Sequence, residues 1–390
     1  MNALQHKSDK SLLFSTRDSI FKHTLPSSSS ILRFATCGTA VLCLFLASFA
    51  AAQSYTITGL GALSDPGNGS GGTGINDGGE VVGGAAVLTD GGYHAFLWTK
   101  EHGIRDLGAL PPSKENWSTA SAINSSGVIA GYSTDKTRLS PSHAVLWIDG
   151  KIHNLGGNNA EAFAINDLGE VVGVFGQPLY SGSVAFLWTP KKGFEKLGTL
   201  PGGNASEGNA INRGGEIVGD SNAKDGNTHA FVWTTSHGMR ALPYLNATDN
   251  FASASAINRQ GLIVGTSGTF PTNLPFTFTT GVLWDGDSQV VEIAPSNPSG
   301  IAIYPSAIND CGEVVGTVGY GVDIPSAAFL WTRKGGWQWL QDLIPNNPGW
   351  VSLGASGINN RGQITGGGIN PDGNSEGFLL TPVEEEPECK

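Results

Sequence analysis

Charge is scarce in this sequence: 14% of the 390 residues are Asp, Glu, Lys or Arg, about half the usual share for a soluble domain. The 22 basic residues face 33 acidic ones, net −11. That is the wrong sign for gripping a phosphate backbone, so no nucleic-acid partner is expected. Cysteine is scarcer still, four in all. Cys37 and Cys43 fall in an N-terminal leader, leaving Cys311 and Cys389 as one bridge or two free thiols, which excludes a disulfide scaffold. Paired-Cys spacings, His-Glu-x-x-His and a Walker-type Lys are missing. Zinc hydrolases and P-loop enzymes therefore have no foothold. No sustained 3.6-residue apolar period occurs. A mean hydropathy of −0.07 excludes a multi-span membrane protein.

The one long uncharged run is Phe34 to Ala52, which follows Arg33 and ends in Ala50-Ala51-Ala52. A basic flank, an apolar core and small closing residues predict a secretory signal cleaved after Ala52. Its rival is an uncleaved anchor, because a run of this length can just span a bilayer. Membrane contact is expected only in that case. Either way the remainder is exported, to the periplasm, the cell envelope or the extracellular space. The reading divides the chain into a leader (1–53), a repeat domain (54–382) and an acidic tail (383–390).

Glycine is abundant, 56 residues, and beyond residue 53 the chain repeats itself. Ile-Asn-x-x-Gly, followed by β-branched residues and another Gly, places Asn at 76, 124, 166, 212, 258, 309 and 359. The mean step is about 47 residues. A second marker follows each: His94-Ala95-Phe96-Leu97-Trp98 and its equivalents ending at Trp147, Trp188, Trp233, Trp284, Trp331 and, without the Trp, Leu380. A looser third marker, such as Leu60-Gly61-Ala62-Leu63 or Leu107-Gly108-Ala109-Leu110, precedes each unit. Four short apolar segments between turn residues read as four strands, the size of a propeller blade. The Asn-to-Gly step suits a hairpin whose Gly takes positive φ. The Gly closing the next strand (Gly83, Gly131, Gly173, Gly219, Gly265, Gly316 and Gly366) would admit another backbone, as crowding near an axis demands. Phe and Trp of the second marker would join neighbouring sheets face to face.

Repeats close into a ring or stack into a rod, and a rod needs atypical polar caps. Here the end units resemble the middle ones. One extra third-marker strand (Thr56 to Leu63) opens the array and none follows Leu380. The expectation is an all-β, seven-bladed β-propeller of four-stranded antiparallel blades closed by both termini, with a β-solenoid as the alternative. The two markers resemble the HAF family of extracellular bacterial repeats, over roughly residues 55–380. The resemblance implies export and a propeller, and brings no catalytic residues. Many HAF proteins end in a Pro-Glu-Pro sorting signal with a hydrophobic helix. The ending Glu384 to Lys390 departs from that pattern, which argues against sorting by that route.

Candidate chemistry is thin. His94, His143 and His229 occupy equivalent positions, so they lie apart and read as packing residues rather than metal ligands. Gly69 to Gly74 satisfies Gly-x-Gly-x-x-Gly but lacks a crossover helix and reads as a loop. Glu80, Glu170, Glu216 and Glu313, with Gln363 in the seventh unit, read as solvated turn positions. Gathered about 5–10 Å apart in a funnel, such carboxylates would instead suit a propeller glycoside hydrolase or lyase. Asn370 to Glu376 and Asp220 to Asp225 have oxygen-rich spacing that could hold Ca²⁺ but fit no complete calcium loop, so no cofactor is expected. Asn-x-Ser/Thr sequons at Asn68, Asn116, Asn124, Asn204 and Asn246 mark surface loops at most. The leading expectation is a monomeric, non-enzymatic binding protein with an extracellular glycan or envelope protein as partner. Its candidate contacts are Trp337, Trp339, Trp350, Phe270, Phe276 and Phe278, aromatics outside the repeated marker that packing explains least well. A structural surface protein is the third reading.

Overall fold

The computed structural model describes residues 53–384 except 65–68, 88–91, 112–116, 135–140, 177–181, 270–277, 287, 295–301 and 320–326. The leader, the end of the tail with Cys389, the sequons at Asn68 and Asn116, Phe270 and Phe276 lie outside the described residues. So does the Phe278 side chain. The described residues contain 28 strands, one 3-10 turn (Leu340–Leu343) and no α-helix. No helix among them is long and apolar enough to cross a membrane. They belong to one compact unit spanning 51–390.

Local chemistry explains the strand order. At each Asn-x-x-Gly the Gly N–H donates to the Asn carbonyl and the Asn N–H to the carbonyl four residues on, as for Gly79, Asn76 and Glu80 at 2.9 and 3.1 Å. Gly79 has φ 78°, and its six counterparts are also left-handed, which makes a three-residue hairpin with a glycine bulge. The chain therefore reverses after every inner strand. In the first unit, Ser70–Ile75, Val81–Val87, Gly92–Thr99 and Gly103–Gly108 pair antiparallel in chain order. The pattern recurs behind inner strands Trp117–Ile123, Ala160–Ile165, Ser206–Ile211, Phe251–Ile257, Ala302–Ile308 and Val351–Ile358. Single parallel bridges, Tyr93 to Trp117 and Thr228 to Phe251, join two pairs of neighbouring units.

Each inner strand carries a bulge two residues before its final Ile, for example between Gly208 and Ala210. The bulge drives a carbonyl toward the second strand, and there the seven repeated glycines sit, inside that strand rather than closing it as expected. A Cβ on Gly219 would collide with the Glu207 carbonyl, and one on Gly173 with that of Glu161. The close approach expected from sequence is present, but its source is the bulge of the paired strand rather than crowding at an axis.

Second and third strands are buried on both faces. Val81, Phe96 and Trp98 pack in one cluster with Leu60 and Leu379, while Val82 and Ala95 pack with Ala120, Ile129, Val145 and Trp147 of the next unit. Large Phe and Trp rings on one face thus meet Ala, Val and Leu on the neighbour. This two-sided burial accounts for the unbroken apolar runs. Each full Phe burial contributes roughly 1.5–3 kcal/mol. Comparable clusters join each consecutive pair of units. Indole N–H groups add inter-unit bonds: Trp147 donates to the Leu107 carbonyl at 3.0 Å and Trp284 to that of Pro243 at 2.8 Å.

The last sheet takes its fourth strand from the beginning of the domain. Tyr55–Gly59 pairs antiparallel with Ser375–Pro382, Ile57 opposite Leu380 and Gly59 opposite Phe378. Inner strand Val351–Ile358 also packs against Ser70–Ile75. One expectation fails here. Gly69 to Gly74 is not a loop; Ser70–Ile75 is the inner strand of the first unit. Its glycines are forced by neighbours on both sides. A Cβ on Gly72 would strike the Thr365 hydroxyl, and one on Gly74 would lie 3.2 Å from the Ala122 backbone.

Gly71 differs, because a Cβ there meets nothing within 4 Å. Urea denaturation should therefore separate the two kinds of glycine. Gly219→Ala is expected to lose about 2–4 kcal/mol, whereas Gly71→Ala stays within about 0.5 kcal/mol of the parent.

Candidate functional site

The most regular polar feature is a girdle of seven Asn side chains, each 3–6% exposed. Every Nδ2 donates to the backbone carbonyl of the next unit's Asn at 2.9–3.2 Å, from Asn76 through Asn309 to Asn359. Asn359 then donates to the Asn76 carbonyl at 2.9 Å. A second Nδ2 hydrogen goes to Glu80, Glu170, Glu216, Glu313 or Gln363 within the unit. Oδ1 accepts backbone N–H groups of its own turn, as from Gly214 and Glu216 on Asn212. All four bonding positions of such an amide are filled. The repeated acids are thus not merely solvated turn residues; they hold the girdle amides. Asn124, read as a surface sequon, is a buried member of the girdle, because its turn faces the next unit.

Beside the girdle is a cavity of about 370 Å³ lined by the seven Ile-Asn pairs and the residues after them. Its charged residues are Asp77, Asp167, Arg213, Arg259 and Asp310. Asp310 sits 3.6 Å from Arg259, and Asp77 accepts from the Asn360 backbone N–H at 2.9 Å. These polar atoms bind one another across unit boundaries.

The sequence-derived contacts have different fates. Trp350 is 4% exposed in the core, edge-on to Phe378 at 6.1 Å. Packing does explain it, contrary to expectation, because the 3-10 turn carries Leu340 and Leu343 against it. Trp337 and Trp339 are half-buried and mutually perpendicular at 5.4 Å, with Trp337 stacked on Phe329 at 4.1 Å. His94 is 2.9 Å from Asp106 and His229 is 2.9 Å from Asp225. These two histidines therefore have separate partners. Among the described residues no three His, Cys, Asp or Glu side chains gather as a metal would need. The oxygens of Asn370 and Glu376 are engaged in their own turn and in holding the Gly61 N–H. Cys311 is disulfide-bonded, its partner lying outside the described residues.

Two places were not legible as sites in the sequence. At the start of the inner strands is a larger cavity, about 670 Å³, lined by Gly71, Tyr93, Ser352, Gly354, Ser356 and Gly367 among others. Tyr93 stacks on Trp117 at 5.4 Å and 22°. The usable signal was a break in the repeat: Ser142, Ser183, Thr228, Thr279, Ser326 and Ser375 stand where the first unit has Tyr93. The second place is in the fourth unit, where buried Glu207 and Asp220 face each other across the ladder. Asp220 accepts from Ser253 at 2.8 Å and Asn209 at 3.3 Å. Burial outweighs those bonds and raises its carboxyl above the ordinary range.

No protein-family model and no curated protein sequence matches this chain. Solved structures do resemble it. A puromycin-hydrolyzing peptidase of Mycobacterium tuberculosis matches at TM-score 0.51 and 11% identity, over 82% of this chain and 53% of that one. The acylaminoacyl peptidase of Pyrococcus horikoshii matches at 0.50 and 11%, over 83% and 52%. TolB of Acinetobacter baumannii gives 0.43 and 12%, over 78% and 64%. The chain thus spans about half the length of the two peptidases and less than two thirds of TolB. The likeness is one of fold, a propeller-like array of four-stranded antiparallel sheets.

The raised Asp220 carboxyl has a consequence for stability. A folded-state pKa above the unfolded value contributes stability that is complete below the unfolded pKa and is lost as pH rises through the folded one. Asn at this position keeps an acceptor for Ser253 and removes the titration. Thermal melts from about pH 4 to about pH 9 should show Asp220→Asn gaining on the parent as pH rises, with no gain at the acid end. Parallel melting curves would contradict the assignment.

Proposed function

We propose that this chain is an exported, non-enzymatic binding protein built as a closed propeller of seven blades, the last completed by both ends of the repeat domain. The return of Asn359 to Asn76 and the pairing of Tyr55–Gly59 with Ser375–Pro382 support the closure. The resemblance of the markers to HAF repeats supports an extracellular or envelope location. A glycan or another envelope protein is the proposed partner.

The carrying observation is how polar residues are divided. The repeated Asn, with its Glu where one is present, serves hydrogen bonds within and between units. With antiparallel strands in chain order, the Asn turns lie at one end of each inner strand. The ends of the second and fourth strands, from which the connectors to the third strand and to the next unit start, lie at the other. Those connectors vary in length and sequence, so recognition is assigned to their side. The hydrolase or lyase reading keeps one observation in its favour, the buried Glu207 and Asp220 opposite each other in the fourth unit.

A glycan array followed by product analysis distinguishes the two. The full chain should retain a saccharide and return it unchanged. Shortened products from the parent, lost in Glu207→Gln, would replace the binding reading with the hydrolytic one.

A further inference from the structure

We propose that the 670 Å³ cavity at the start of the inner strands binds a short neutral saccharide; this rests on the binding reading above and gives it a place and a ligand class. The cavity arises where the repeat lapses. Four residues before its final Ile, each inner strand carries Gly71, Thr119, Glu161, Glu207, Ser253, Tyr304 or Gly354 in turn. The cross-strand partners of Gly71 and Gly354 are Gly84 and Gly367. Two neighbouring units, the first and the seventh, thus omit side chains on both strands at one level. The opening is on the scale of a small-ligand site.

Packing does not require the gap at Gly71. A Cβ there meets nothing within 4 Å, and the residue is not left-handed. Nearby Gly72 and Gly74 are tightly enclosed, so the space in front of Gly71 is particular to that position.

The wall has the groups that recognise a sugar. The Tyr93 ring lies directly over Gly84, since a Cβ on Gly84 would overlap it. Its stack on Trp117 holds it in place, which gives the cavity a rigid aromatic wall for the C–H groups of a pyranose to pack against. Ser352, Ser356 and Ser375 bring hydroxyls, and glycines expose backbone donors and acceptors. Ser352 is held at φ 54°, one of three non-Gly residues among those described in the left-handed region. Such strain persists only where the surroundings impose it. Among the described residues no Asp, Glu, Lys, Arg or His lines the cavity. Glu161 and Glu207 stand at the same register level in the third and fourth units. With a net charge of −11, they disfavour an acidic glycan and leave a neutral one as the fitting ligand.

Gly71→Trp fills the cavity from a position with open space, and Gly71→Ala leaves most of the cavity free. Cellohexaose, xylohexaose, mannohexaose and laminarihexaose, with oligogalacturonate as the acidic comparison, would be titrated calorimetrically into the full-length parent and both variants. The expected result is binding of at least one neutral hexasaccharide and none of oligogalacturonate. Gly71→Ala should bind like the parent, and Gly71→Trp at least about tenfold more weakly, with melting temperatures within about 2 °C. Tyr93→Ala should weaken binding as well. Neutral binding that Gly71→Trp leaves intact overturns the site while the binding reading stands. Preference for oligogalacturonate overturns the ligand class. Retention of no saccharide by the parent, on this panel or on the array, overturns the site and the glycan form of the binding reading together.

Discussion

One hydrogen bond organises this protein: the Asn side-chain amide of each unit on the backbone carbonyl of the next unit's Asn. Buried amides are costly unless every donor and acceptor is matched, and in five of the seven units the match needs three things at once. The turn must present N–H groups to Oδ1, a nearby acceptor such as Glu216 must take one amide hydrogen, and the adjacent unit must stand at a fixed distance to take the other. An Asp would place a carboxylate against a carbonyl and, in most units, against a Glu. The same amide that shapes a hairpin therefore also sets the spacing between sheets.

The other regularities follow from that spacing. Sheets held close at their inner edges must bury both faces of their middle strands, which is why Val-Val pairs and the Ala-Phe-Leu-Trp strand recur. Rings on one face require small partners on the other, and the alternation along the third strand supplies both. The bulge in each inner strand turns a carbonyl onto the second strand, and only Gly tolerates it there. Glycine abundance, which composition alone associates with loops, is divided in this protein between turns and strands.

Much of the architecture was legible because it is periodic. Seven markers gave strand count, hairpin type and the apolar faces, and the strand before the first unit pointed to the pairing with Ser375–Pro382. The misreadings concern residues whose roles are set by neighbours remote in sequence. Gly69 to Gly74 looked like a loop, because nothing local reveals that Thr365 and Ala122 confine it. Asn124 looked like a surface sequon, although its partner is the carbonyl of Asn166. Trp350 looked exposed because it stands outside the marker, yet a short 3-10 turn builds a pocket around it. The cavity beside Tyr93 was visible only as a departure from the repeat, and a search for shared residues passes over departures.

The central claim is that one bond type joins the units all the way round, the seventh to the first included. Urea denaturation of Asn359→Asp beside Asn258→Asp tests it most directly, since neither Asn has a carboxylate four residues on; the two bridge different junctions, and Asn359 also donates to Gln363 in its own unit. The account expects both to lose about 2–3 kcal/mol, within about 0.5 kcal/mol of each other. A full loss at Asn258 with almost none at Asn359 would mean that the seventh unit has no neighbour to bind, and that the array is open.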